Sequence, residues 1–312
     1  MNHPKMSRRA KIGAAVVGGV LLAAATVVLV MAVGKMRDSD TVGAADNPFV
    51  LLLSPAYDAT PEHLAALSTL LSTEAGFAVE VRRAPDARTA ILDAGHGRAD
   101  ASLMPLFDYL FCHREYGLEA GARLLRGAGD PVYHGEILVK SEGGVESLAA
   151  LSGKRVAFAD RYSTSGFLYP ARLLVGAGAE VVAVFAGSHE AALAALRAGE
   201  VDAAASYAHA PEPGLRVLAR TADIPNEPIV FGPRVPPELR RRFVDALTRA
   251  AADPRGKVML GALGGISGFT PTSDADYEAV NKEIEATSNE LHALVPGGWA
   301  LQQDNRRAML AP

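Results

Sequence analysis

Three consecutive hydroxyl residues, Ser163, Thr164 and Ser165, are followed by Gly166 and preceded by Asp160-Arg161-Tyr162. They come after an apolar run, KRVAFA (154–159), and open a helical pattern from about Gly166 to Val175. One serine at a helix start is an ordinary cap, but three hydroxyls before a glycine are more than a cap needs. The free N–H groups of a first helical turn, the hydroxyls and the positive end of the helix together suit a tetrahedral oxyanion. Other chemistry is poorly supplied. There is no GxxxxGK[ST], no GxSxG and no HExxH. The single cysteine, Cys112, adjoins His113, and neighbours on a helix point in different directions, so they make no nucleophile–base pair. Cys112 is expected to be a core thiol, with a soft-ligand role as the alternative. No enzyme activity, metal or cofactor is expected.

The elements that must hold the hydroxyl cluster alternate. FVLLLS (49–54) has the pattern of a buried strand, and Thr60-Pro61-Glu62 opens a helix to about Glu74 with an N-cap, a first-position proline and an acid in the first turn. AVEVRRA (78–84) alternates as a strand, Asp86–Ala94 is a helix, ADASLM (99–104) a strand and Pro105–Tyr116 a helix. The pattern restarts with strands at 134–140, 154–159, 180–186 and 201–207 and a helix from His189 to Ala198. Further strands are expected at 215–220 and 227–232, followed by helices alone over 236–252, 256–263 and 274–294. Two α/β units of similar size predict an α/β protein of two lobes with parallel sheet and a ligand cleft between them.

Composition narrows the class. The chain has 312 residues, 49% hydrophobic and 21% charged, with 30 Gly and 19 Pro, which excludes collagen-like and largely disordered chains. One cysteine leaves no internal disulfide and no CxxC site, and 6% aromatic residues offer no base-stacking surface. The net charge of −4 conceals two unlike pieces: residues 1–38 carry six Lys/Arg and one acid, leaving 25 bases and 34 acids in the rest. That acidic body argues against nucleic acid as a partner.

Residues 12–34, IGAAVVGGVLLAAATVVLVMAVG, contain no charge. A 23-residue helix is about 34 Å long, against a hydrocarbon core of roughly 30 Å. Arg8, Arg9 and Lys11 precede it, placing residues 1–11 in the cytoplasm and the body outside the inner membrane. An uncleaved single-pass anchor is favoured over a cleaved signal, whose apolar stretch is usually about 7–15 residues; cleavage is the alternative and leaves a soluble periplasmic protein. Residues 35–46 are the expected linker.

The body resembles the phosphonate/phosphite/phosphate-binding proteins of ABC importers. The resemblance is carried by AYDATPEHLAALSTLLSTEAGFAVEVRRAPD, YHGEILVKSEGGVESLAALSGKRVAFAD and STSGFLYPARLL. It continues through GSHEAALAALRAGEVDAA, IPNEPIVFG and DPRGKVMLGALGGISGFTPTSDADY, so that it spans about residues 49–280. It implies the two-lobed type II periplasmic-binding-protein fold, with residues 47–136 and 228–312 as lobe 1 and 137–227 as lobe 2, hinged near strands 134–140 and 227–232. It also implies that Ser163, Thr164, Ser165 and Gly166 form the oxyanion loop, that Tyr133 donates from the crossing strand and that His189 contacts the ligand from a helix start. Glu227 matches an acid that faces the ligand.

Two departures bear on the ligand. Aminoethylphosphonate binders of the family carry a tyrosine after the APD triplet and a second acid after the VDAA strand; here Ala87 and His209 stand at or near those places. One carboxylate beside an imidazole is a poorer ammonium site than two carboxylates. A smaller oxyanion (phosphite, phosphate or methylphosphonate) is therefore expected, with His209 either donating to an oxygen or facing solvent. The expected partner is an ABC permease, served by a monomeric binding protein. The alternative is a membrane-anchored sensor for a receptor kinase, with arsenite at Cys112 as a lesser possibility.

Overall fold

The computed structural model describes residues 41–208, 213–286 and 290–310. The expected anchor, 12–34, lies outside them, as do the first half of the linker (35–40) and His209. Among the described residues no helix is long and apolar enough to cross a membrane.

The first sheet runs in the order β13-β4-β12-β3-β1-β2. β1 (Phe49–Leu53) pairs in parallel with both β2 (Val79–Arg83) and β3 (Ala101–Leu103), and β12 (Pro228–Phe231) returns antiparallel to β3. β4 (Glu119–Arg126) and β13 (Ile266–Pro271) complete the sheet, antiparallel to β12 and to each other respectively. The helices between the first strands form where the sequence caps them. In α1 (Pro61–Ala75) Thr60 Oγ1 accepts from His63 N at 3.2 Å, and Gly76 closes the helix at φ 70°, a conformation that costs glycine nothing. In α2 (Ala87–Gly95) Asp86 Oδ1 accepts from Thr89 N at 2.8 Å. α3 (Leu106–Tyr116) follows β3. The core of this lobe includes Phe49, Leu51, Leu67, Leu71 and Phe243, with the Phe49 and Phe243 rings stacked at 4.4 Å.

The second sheet runs β10-β6-β9-β7-β8, formed by β6 (Gly135–Lys140), β7 (Arg155–Phe158), β8 (Val182–Phe185), β9 (Ala203–Tyr207) and β10 (Leu215–Arg220). β7 is parallel to β8 and β9, while β6 is antiparallel to β9 and β10. Both faces are covered: Ile137, Val156 and Phe158 pack on one side, Leu138, Leu193 and Leu196 on the other. That is why its central strands read as unbroken apolar runs. α4 (Tyr169–Gly176) and α5 (His189–Ala198) belong to this lobe.

Between the sheets a two-stranded ribbon pairs β5 (Val132–Tyr133) with β11 (Ile224–Pro225), with Tyr133 opposite Ile224. The expected strands at 134–140 and 227–232 are β6 and β12, and the chain crosses between the sheets through this ribbon, immediately before each of them.

The expectation of helices alone after residue 232 is also corrected. β13 is a strand between α7 (Pro254–Ala262) and a 3-10 turn at Asp274–Tyr277. The expected helix over 274–294 is divided into that turn, α8 (Glu278–Ala286) and a second turn at Leu291–Leu294, and α9 (Gly298–Leu310) follows. α6 (Pro237–Ala252) matches expectation closely.

Candidate functional site

A cleft of about 900 Å³ lies between the two sheets. The hydroxyl run borders it at the end of β7. Ser163 is extended (φ −93°, ψ 125°) and its Oγ accepts from Gly166 N at 2.9 Å, as an N-cap does. The helix begins at Thr164, two residues before the position expected, as a π turn over Thr164–Leu168 that runs into α4. Leu168 N reaches back to Ser163 O at 3.1 Å, so the N–H groups of Thr164 and Ser165 have no acceptor within the helix and are left at the cleft wall.

Two glycines let backbones close on this turn. A Cβ at Gly166 would lie 2.6 Å from Ala159 Cβ, 2.7 Å from His189 Cε1 and 2.8 Å from Ser163 Oγ. A Cβ at Gly135, just past the β5–β11 ribbon, would lie 2.8 Å from Ser165 O. The crossing strand thus packs directly beneath the hydroxyl turn.

His189, at the start of α5, stands between two serines: its Nε2 is 3.3 Å from Ser163 Oγ and its Nδ1 3.2 Å from Ser206 Oγ. One ring nitrogen carries hydrogen and the other accepts, so the two serines fix the ring plane whichever tautomer is present. Tyr207 meets the imidazole edge-on at 4.9 Å.

Tyr133 lines the cleft from the ribbon. Burial, then the nearby Glu227 carboxylate, push its phenol above the ordinary value, while neighbouring Thr164 and Arg126 act the other way. The phenol is therefore a neutral donor near the hydroxyl turn.

Glu227 also borders the cleft, but it is engaged. Arg126 Nη1 donates to Glu227 Oε2 at 2.6 Å and to Asn226 Oδ1 at 3.0 Å, while Arg126 Nε donates to Gly264 O at 3.0 Å. Asn226 is fully buried and in turn donates to Leu124 O and Asp130 O, at 3.0 and 2.8 Å. Tyr277 Oη donates to Asn226 O at 3.0 Å. Burial opposes the charge of Arg126, but Glu227 and Tyr57 more than offset it, so the guanidinium is held above its ordinary value. The phenol of buried Tyr57, a neighbour of Arg126, is pushed well up by burial and then by Glu227.

The cleft therefore brings together Ser163, Thr164, Ser165, Tyr133, His189 and Glu227. Gly166 supports the turn from behind, and Ala87 borders the same cleft, leaving open the space that a larger side chain would fill. Arg126, Asn226, Tyr57 and Asp108 were not anticipated. Cys112 is fully buried in a cluster with Phe107, Phe111 and Leu301, away from the cleft lining, and burial pushes its thiol well up. A protonated thiol without access to the cleft is no soft ligand for it. Among the described residues no group of three or more His, Cys, Asp or Glu is placed to hold a metal.

Residues 51–277 match the family model described as the periplasmic phosphonate substrate-binding protein of ABC transporters. The chain belongs to that family. Its members are non-enzymatic transport components, with an extracytoplasmic binding domain and an ABC permease as partner. Among curated proteins, the phosphate-import protein PhnD of Mycolicibacterium smegmatis is 25% identical over 257 residues, covering 72% of this chain and 80% of that protein. The two-lobed periplasmic-binding-protein fold recurs in a protein of Prochlorococcus marinus solved with methylphosphonate (TM-score 0.60, 18% identity, 78% and 100% of the two chains). It recurs also in a binding component of an ABC phosphonate transporter from Pseudomonas aeruginosa (TM-score 0.60, 17% identity, 84% and 95%).

Proposed function

We propose that this family member captures a small phosphorus oxyanion bearing no amine (phosphite, phosphate or methylphosphonate) and presents it to an ABC permease for import. The observation that carries this is the pairing of Glu227 with Arg126 at 2.6 Å. A carboxylate already neutralised by a guanidinium has little attraction left for a ligand ammonium, so Glu227 offers the amine of aminoethylphosphonate only a weak partner. The donors suit the other end of the ligand. Two backbone N–H groups, the hydroxyls of Ser163, Thr164 and Ser165, the Tyr133 phenol and His189 supply charge-assisted hydrogen bonds to three oxygens.

Closure about the β5–β11 ribbon brings the hydroxyl turn toward the Arg126 wall and expels water, which strengthens each of those bonds. Residues 12–34 tether the domain to the inner membrane, with the cleft on the periplasmic side; their length and the basic residues before them support this. Calorimetry on residues 41–312 with phosphite, phosphate, methylphosphonate and aminoethylphosphonate tests the ligand class. Submicromolar to micromolar binding of one of the first three, with aminoethylphosphonate at least tenfold weaker, is expected. Tightest binding of aminoethylphosphonate overturns the proposal.

A further inference from the structure

The edges of the two larger sheets are not alike. β2 carries Glu80, Arg82 and Arg83, and the N–H groups of Val79 and Val81 are taken by α1, donating to Ser72 Oγ at 2.9 Å and to Ser68 Oγ at 2.8 Å. β13 ends in Pro271, is irregular between Ile266 and Gly268, and lies against α6 and α7. β10 has Arg216, Arg220 and a bulge between Val217 and Ala219. Charges, proline, bulges and covering elements keep a sheet edge from pairing with another chain. β8, the remaining edge, has none of them among the described residues.

β8 is Val182, Ala183, Val184 and Phe185, in unbroken parallel register with β7. Val182 N and Ala186 N donate to Lys154 O and Phe158 O, so residues 182, 184 and 186 turn their backbone groups toward β7. Alternation then turns the N–H and C=O groups of Val181, Ala183 and Phe185 outward, and among the described residues these have no partner. The side chains are bare as well, Val182 by 53% and Phe185 by 39%, in a run of strand formers.

Independently of the ligand class, we propose that β8 pairs with β8 of a second copy of this chain, antiparallel, about a two-fold axis at Ala183. Only outward groups can pair, and the register centred on Ala183 satisfies all of them. Ala183 meets Ala183 of the second copy, and Val181 meets Phe185 twice; each of these three pairs exchanges two backbone hydrogen bonds. An axis at Val184 would set Val181 against Gly187, whose N–H is spent on Ala159 O. An axis at Val182 would set Phe185 against Ala179, whose N–H is spent on Leu174 O. The register at Ala183 also sets Val182 against Val184 of the second copy on one face and Val181 against Phe185 on the other, withdrawing apolar side chains from water. At each end exposed Glu180 comes beside the Phe185 ring of the second copy, over which the Arg161 guanidinium lies at 5.0 Å, so opposite charges meet twice. A second copy matches this pattern by symmetry alone. One strand pair is smaller than the roughly 1,600 Å² of a standard interface, so the two copies exchange, with a dissociation constant on the order of 10–100 µM. This self-association stands in place of the monomer expected from the sequence.

The test is sedimentation velocity of the full chain in mild detergent, from about 1 to 200 µM, on the wild type, Val182→Lys and Ala183→Pro, with circular dichroism and thermal unfolding to establish folding. Proline at 183 removes only an outward N–H, so the ladder to β7 is kept. The wild type is expected to dimerise as concentration rises, and both folded variants to do so at least tenfold more weakly. Cysteine pairing reads the register. Ala183→Cys should form a disulfide with itself, since hydrogen-bonded antiparallel partners lie about 5.5 Å apart at Cα, and Val182→Cys should pair with Val184→Cys when the two are mixed. Val217→Cys, on the β10 edge, should not cross-link, and Cys112 is fully buried and does not compete. A wild type that stays monomeric to about 200 µM overturns the proposal and leaves the edge to an extended strand of another protein. A dimer that both folded variants retain overturns it too, as does cross-linking through Val217→Cys and not through Ala183→Cys.

Discussion

Arg126 and Glu227 lie 101 residues apart in sequence and meet at 2.6 Å on the cleft wall, with Asn226 holding the guanidinium from beside them. Their side chains are 27% and 19% exposed, so water screens them only in part. Each therefore depends on the other: removing one leaves a charge at the cleft in search of a counterion.

Arg126→Ala should release Glu227 to face the cleft as a free carboxylate. Binding of phosphite and methylphosphonate is expected to weaken by about tenfold or more, and aminoethylphosphonate to gain on them, because its ammonium now finds a partner. Glu227→Gln should do the reverse, leaving an unneutralised guanidinium that tightens every oxyanion. Competition calorimetry with the two ligand types reads both changes, and an unchanged preference in Arg126→Ala shows that the pair does not set specificity.

Ser163→Ala removes a cap and a ligand donor at once. Loss of the bond to Gly166 N is expected to cost about 1 kcal/mol of stability, measured by urea denaturation. Ligand binding should weaken further, by about 1–3 kcal/mol, since the lost hydroxyl faces a charged group. Thr164→Ala tests the second part alone, because Thr164 is not the cap. Equal stability losses with unaltered affinity in both variants place the ligand elsewhere.

Gly166→Ala adds one methyl where three groups already crowd. The new carbon has to displace Ala159, His189 or Ser163 from distances under 3.0 Å. Ala159 lies in the lobe core and cannot retreat, so the imidazole and the serine must separate, breaking the 3.3 Å contact. A loss of binding of more than tenfold is expected, with the fold retained by circular dichroism. Retained affinity would mean that the Ser163–His189 alignment does not matter to the ligand.

How much of this could be had from sequence alone follows from how local each signal is. The hydroxyl turn and the caps of α1 and α2 are short-range patterns, and the structure has them within two residues of their expected places. β4 gave no such signal: EAGARLLR is built from helix formers and becomes a strand only because β12 and β13 flank it. β13 is similarly concealed, since it follows Gly264 and Gly265, both at positive φ, directly after a helix. Arg126 ends β4, so a missed strand meant a missed site residue. Asp108 left a trace, a lone acid in the apolar run LFDYLFC, but only the structure shows that its helix begins at the cleft.

Asp108, on α3 at the cleft, is 3% exposed and has no hydrogen bond or ion pair among the described residues. Its carboxyl is pushed up to about 7 by burial, whereas in the unfolded chain it titrates near 3.8. Below pH 4 both states hold the proton and the residue costs nothing. Between about pH 4 and 7 the unfolded chain gives up its proton while the folded protein keeps it, so stability falls as pH rises, by a total on the order of 4 kcal/mol above pH 7. Asp108→Asn has no proton to lose, and its stability relative to the wild type should therefore grow between pH 4.5 and 7.5, by at least about 2 kcal/mol after allowance for water entering an open cleft. Subtracting the two urea-denaturation series cancels the other titrating groups. Parallel curves would show that the carboxylate is well solvated in the empty cleft, and a difference of the opposite sign would mean that a cation reaches it there.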